Sequence, residues 1–100
     1  MLNQLVLVGR LVEDPILEKN DDKNTFIITL AVPRGYKNLD GEYETDFIKC
    51  NLWKNIGETT AEYCKKGDLL GIKGHVESED GSMVIIAEKV TFLSSKRADE

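Results

Sequence analysis

Tyr43-Glu44-Thr45-Asp46-Phe47-Ile48-Lys49-Cys50-Asn51-Leu52-Trp53 is the stretch that decides the fold. Ile48, Cys50 and Leu52 alternate toward one face and Phe47, Lys49, Asn51 and Trp53 toward the other, the period of a strand with one side on a core. The segment Gly57 to Lys66 follows as the sole helical candidate. Ile56, Ala61, Tyr63 and Cys64 supply an apolar face, Lys65 and Lys66 suit the negative end of the helix dipole, and Gly67 is a C-terminal stop.

Working outward, Asn38-Leu39-Asp40-Gly41 reads as a hairpin tip. Before it, Thr25 to Val32 is a strand carrying Phe26, Ile28, Leu30 and Val32 on one side, which Pro33 ends or places at an edge. Residues 20–24 read as a turn, and Leu5 to Val12 as a first strand. Beyond the helix, Leu69 to Val76 is a strand with Leu70, Ile72 and Val76 inward and Lys73 and His75 outward. Glu77 to Ser82 reads as a short acidic turn, and Met83 to Leu93 as a last strand with a bulge near Ala87-Glu88. Tyr63 and Phe92 are assigned to the core, and both cysteines to free thiols. Three strands, a helix and two strands is the order of the OB-fold, a five-stranded Greek-key barrel that commonly binds oligonucleotides. The expected organisation is one domain over residues 1–94 and a polar tail over 95–100.

Composition bounds the rest. The chain has 100 residues, 41% hydrophobic and 31% charged, which suits one small globular domain. No run is long enough to span a bilayer, so no membrane partner is expected. Cys50 and Cys64 make neither a disulfide framework nor zinc spacing, which points to a reducing cytoplasm and no metal. The net charge of −5 argues mildly against a nucleic-acid partner. Catalysis is not expected: the one histidine, His75, belongs to no nucleophile set, and no glycine-rich phosphate loop is present. No cofactor is implied.

The outward face of the central strand carries Phe47 and Trp53 with Lys49 and Asn51 between them. Rings that stack bases beside a cation that meets phosphate form a single-strand platform. The same rings packed beneath the helix or a loop would be ordinary structure, and the alternation leaves both readings open. Tyr36, between Arg34 and Lys37, repeats the pairing of ring and cation. Arg10, Lys54, Lys66 and Lys73 complete the set of expected contacts. With Leu5 and Leu7 on one face of the first strand and Val6 and Val8 on the other, one apolar face is left beyond the core, to meet a helix or another subunit. These four are the expected oligomer interface.

Met1 to Leu11 with Glu13-Asp14-Pro15, Thr29 to Val32, Asp46 to Cys50, Leu52-Trp53-Lys54 and Glu62 to Leu69 together resemble the bacterial single-stranded DNA-binding protein (SSB) family, in order, from residue 1 to about residue 93. The resemblance implies an OB-fold without catalytic activity, pairing through first strands into a homotetramer or a dimer, and single-stranded DNA as partner in replication, repair or recombination. It places Tyr36, Phe47 and Trp53 at stacking positions and Lys49 and Lys66 at basic contacts. The chain also departs from the family pattern. Glu18-Lys19 stands where an arginine–aromatic pair is usual, His75 or its neighbour replaces an arginine, and Glu77 to Ser82 replaces a long basic hairpin. These changes imply a smaller contact surface and weaker binding. The acidic partner-recruiting tip of the family is missing, so recruitment through a tail is not expected, and the chain reads as a trimmed or shortened relative from a phage or mobile element. The competing reading is an OB module that binds protein.

Overall fold

The computed structural model describes residues 1–20 and 23–95, with the backbone alone at Asn20, Lys23 and Asn24. Its elements are β1 (Leu5–Leu11), β2 (Ile16–Asn20), β3 (Lys23–Lys37), β4 (Tyr43–Leu52), α1 (Lys54–Tyr63), β5 (Leu69–Glu79) and β6 (Ser82–Ser94). The strands follow the order β1-β5-β6-β4-β3-β2, and β1 also pairs with β3 at Arg10 and Leu11. That last pairing closes β1, β3, β4, β5 and β6 into a barrel, with β2 outside it as an added edge. The chain therefore carries the expected OB-fold, its helix between the third and fourth barrel strands.

Alternation fills the interior. Leu11, Ile28, Leu30, Cys50, Leu52, Leu70, Ile72 and Ala87 form one buried cluster, and Cys64 joins it from the end of α1. Both cysteines are buried free thiols, and burial pushes the Cys50 thiol up to about 12. At the β3–β4 tip, Asn38 Oδ1 accepts from the amides of Asp40 and Glu42, and Gly41 takes a positive φ of 78°.

Several expectations change. β2 was not expected: Ile16 and Leu17 are both exposed on an edge, so no inward alternation marks the strand. Its hairpin partner begins at Lys23, so most of the expected 20–24 turn is strand, and residues 21 and 22 lie outside the described residues. Pro33 does not end its strand. Pairing continues to Lys37↔Tyr43 across a register shift between Pro33 and Lys37, which spares the ladder the missing N–H. The helix starts directly after Trp53 and stops at Tyr63. Gly57 lies within it because the helix presses on Phe26; a Cβ there would sit 2.3 Å from that ring.

Lys65 and Lys66 consequently lie past the helix, in a turn where their amides donate to the carboxylates of Asp68 and Asp14. Tyr63 and Phe92 are not core: both are exposed along a groove between α1 and β6, at the rim where the sheet outruns the short helix. The acidic turn shrinks to Asp80-Gly81, both at positive φ, as a two-residue hairpin requires. Glu77, Ser78 and Glu79 are strand. The bulge near Ala87-Glu88 is present, with Lys73↔Lys89 followed by Gly74↔Ala87. Residues 96–100 of the expected tail lie outside the described residues.

Candidate nucleic-acid interface

The outward residues of β4 meet those of β3 in register: Phe47 opposite Ala31, Lys49 opposite Thr29, Asn51 opposite Ile27. β6 runs parallel on the other side of β4, with Ile86 beside Asn51. The β5–β6 hairpin projects past that pairing and forms a wall. The result is a groove of about 700 Å³. Its floor is Thr25, Ile27, Lys49, Asn51 and Ile86; Trp53 and Lys54 stand at one end, Glu18 on β2 and Glu79, Met83 and Val84 on the hairpin.

Trp53 is 58% exposed and Phe47, further along the same face of β4, 69%. Neither ring is packed beneath the helix or a loop. Tyr36 is 64% exposed. It sits in the irregular stretch where Arg34, Gly35 and Tyr36 lie opposite the single residue Glu44. Lys37 places its ammonium 5.8 Å from the centroid of Tyr43, a distance at which a cation and a ring attract. Exposed rings along a strand face, with lysines beside them, can stack unpaired bases and meet their phosphates.

The expected cations do not all gather there. Lys49 and Lys54 line the groove. Arg10 shares a cross-strand row with Ala31 and Phe47, yet its Nη1 donates to the Gly67 carbonyl at 3.0 Å. Lys66 lies in the turn after α1. Lys73 pairs with Val6 and Lys89, on the β1–β5–β6 side of the barrel. Arg34 forms a fork on Asp46 (Nη2–Oδ1 2.9 Å, Nε–Oδ2 3.1 Å) and also donates to Glu44 at 3.0 Å. The hydrogen bond from Arg34 holds the Asp46 carboxyl below the usual carboxylate range despite opposing desolvation, and Asp46 raises the guanidinium further above its already high value.

Met83, Val84 and Ile86 are groove components that the sequence reading missed, whereas Glu79 belongs to the acidic segment expected in place of a basic hairpin. Met83 is 82% exposed, and the sequence signal was an apolar residue next to the acidic segment of 77–82. Two carboxylates, Glu18 and Glu79, face two lysines in this groove, so apolar and ring surface outweighs net charge there. On the other side of Ile86, His75 sits between carboxylates: Nε2 is 2.7 Å from Glu77 and Nδ1 2.5 Å from Glu88. The hydrogen bonds to Glu77 and then Glu88 raise its pKa above the ordinary imidazole value.

The sequence profile of the single-strand binding protein family matches residues 2–93. Single-stranded DNA-binding protein B of Bacillus subtilis is 41% identical, over 96% of this chain and 94% of that protein. Single-stranded DNA-binding protein 3 of Listeria innocua is 44% identical over 97% of this chain and 67% of its own length. The single-stranded DNA-binding protein of Enterococcus faecalis is 38% identical over all of this chain but 58% of its own length. Among solved structures, a deletion mutant of the single-stranded DNA binding protein from Thermus aquaticus superposes with a TM-score of 0.74 at 21% identity, over 95% of this chain and 52% of that one.

Proposed function

The chain belongs to the single-strand binding protein family, and from that premise we propose that it binds single-stranded DNA with little sequence preference and without catalysis, organising the strand in replication, repair or recombination. The observation that carries this reading is the exposure of Phe47 on the outward face of β4 and of Trp53 directly after that strand, beside Lys49 and Lys54. A sheet face turned to water has no reason to display two large rings; unpaired bases supply one. In this reading Trp53, Phe47 and Tyr36 stack bases, and Lys49, Lys54 and Lys37 meet phosphates. Arg10 and Lys66 extend the path beyond Phe47, while Lys73 lies apart from it. A protein-binding module would also use exposed rings; the family match favours single-stranded DNA over that reading.

The active form is an oligomer built on β1. Leu5–Arg10 pair with β5, whereas β3 covers only Arg10 and Leu11. One backbone edge of Leu5–Val8 is therefore without a strand partner among the described residues. Val6 and Val8 are exposed beside it, and Val8 and Leu93 flank Gly71 on the same face. An antiparallel pairing with a second copy fills that edge and covers the valines; two such dimers would give a tetramer. Buried free thiols at Cys50 and Cys64 suit a reducing cytoplasm. Among the described residues no helix is long and apolar enough to cross a membrane.

The test is anisotropy of a labelled oligothymidine. Trp53→Ala should weaken binding by about 1–3 kcal/mol, the worth of one base stack, and unlabelled single strands should compete far better than duplex. Equal binding by the variant, or equal competition by duplex, would overturn the proposal.

A further inference from the structure

Of all the cations expected to meet DNA, Arg34 is the one with every donor group turned elsewhere. Its Nε and Nη2 form a fork on Asp46 and its Nη1 reaches Glu44. Asp46 lies two residues from half-buried Ile48 and four from buried Cys50, so strand alternation sets its side chain on the core-side face of β4. Phe47 and Lys49 point the other way. The guanidinium is thus on the opposite face of β4 from Phe47 and Lys49, while Tyr36 lies close enough to Arg34 to favour its charged form.

The backbone explains why something must be there. Regular pairing of β3 with β4 runs to Pro33↔Thr45 and resumes only at Lys37↔Tyr43, leaving Arg34, Gly35 and Tyr36 against Glu44. Pro33 has no N–H to give, and glycine at position 35 adds freedom. A stretch so poorly tied by its ladder would hold Tyr36 loosely. Arg34 crosses that gap and grips Asp46 below it and Glu44 within it.

We propose that Arg34 is a positioning residue: its bridge to Asp46 and Glu44 replaces the missing ladder across the β3–β4 bulge and holds Tyr36 out for a base, and Arg34 itself does not bind phosphate. This rests on the single-strand reading above. A planar fork is needed for the bridge, which lysine cannot supply, whereas lysine serves well as a point charge for phosphate.

Asp46→Ala is the decisive variant, because the two roles give opposite signs. As a positioning residue, Arg34 loses its anchor, and affinity for labelled oligothymidine falls about five-fold, one weak base stack. As a phosphate ligand it is set free, and affinity rises. Arg34→Ala and Arg34→Lys should both weaken binding to the same degree, and combining Arg34→Asp with Asp46→Arg should restore it. Tighter binding by Asp46→Ala or the milder Asp46→Asn, or full binding by Arg34→Lys, would overturn the proposal. Amide hydrogen exchange at Gly35, Tyr36 and Lys37 reads the clamp without DNA: it should quicken in both single alanine variants. Unchanged exchange defeats the clamp even if DNA binds, and quickened exchange in a chain that binds no oligothymidine would count against the single-strand reading alone.

Discussion

Gly74→Ala should disable the β5–β6 wall of the groove. Gly74 pairs with Ala87 immediately after the bulge, where the strands are closest. A Cβ at Gly74 would lie 1.9 Å from the Ile86 carbonyl oxygen, 2.9 Å from its carbon and 3.1 Å from the Ala87 Cα. A carbon–oxygen contact normally rests near 3.3 Å, so the strands must part by roughly 1.4 Å. All three obstructing atoms are backbone, and Ala87 is fully buried and paired with Leu52 on its far side, so no flexible side chain can yield. Overpacking of this kind costs about 1–3 kcal/mol, and each ladder hydrogen bond lost adds about 1 kcal/mol. The expected loss is about 2–4 kcal/mol, a fall in Tm of roughly 10–25 °C for a chain of this size. Thermal unfolding by circular dichroism checks it, at one protein concentration because assembly couples Tm to concentration. Gly35→Ala is the control: no atom lies within 4 Å of its Cβ, and its Tm should stay near the parent's. A Gly74→Ala protein melting within about 3 °C of the parent would refute the reasoning.

Val6→Asp places a charge on the most exposed apolar residue of β1, 71% accessible. Sedimentation velocity should show it as a monomer while the parent sediments as an oligomer, and a compact parent monomer at micromolar concentration would remove the interface. His75 gives a pH dependence with a defined sign. Its folded pKa is raised, chiefly by the hydrogen bonds to Glu77 and Glu88. Its stabilisation is therefore complete below the unfolded value of about 6.5 and lost as pH rises through the folded value. The Tm difference between parent and His75→Gln should shrink across that window; a constant difference would show that the imidazolium is not held. Glu79→Lys turns a groove carboxylate into a phosphate contact, so affinity should rise and the logarithmic salt slope should steepen by about 0.7. No change in either would place the strand's path away from the hairpin.

Strand alternation made most of this architecture legible. Ile48, Cys50 and Leu52 carry one face of β4 into the core, and Phe47, Lys49 and Trp53 carry the other to solvent. Gly-containing turns marked the β3–β4 and β5–β6 hairpins, and the order of elements followed from the strand and helix periods. What escaped has local causes. β2 is an edge strand with no buried face, and sequence period reports burial rather than pairing. The helix was expected from Gly57 to Lys66 but runs from Lys54 to Tyr63, and Gly57 lies inside it, where its missing side chain lets the helix touch Phe26. Tyr63 and Phe92 read as core because large rings usually are; the barrel rim leaves them open. The far wall of the groove joins Glu79 and Met83 to Trp53 and Lys49 through strand packing that no local pattern encodes. Arg34 looked free because its partners, Asp46 and Glu44, are brought beside it only by the register of β3 on β4.

Trp53 is the chain's only tryptophan and stands at the end of the groove, so its own fluorescence is the most direct witness to the central claim. Titration of the unmodified protein with a long oligothymidine at low salt should quench that emission to saturation, as a base stacks on the indole, and added salt should reverse the quenching as phosphate contacts exchange for counterions. An emission that oligothymidine leaves unchanged throughout a low-salt titration would contradict the assignment of this groove to single-stranded DNA.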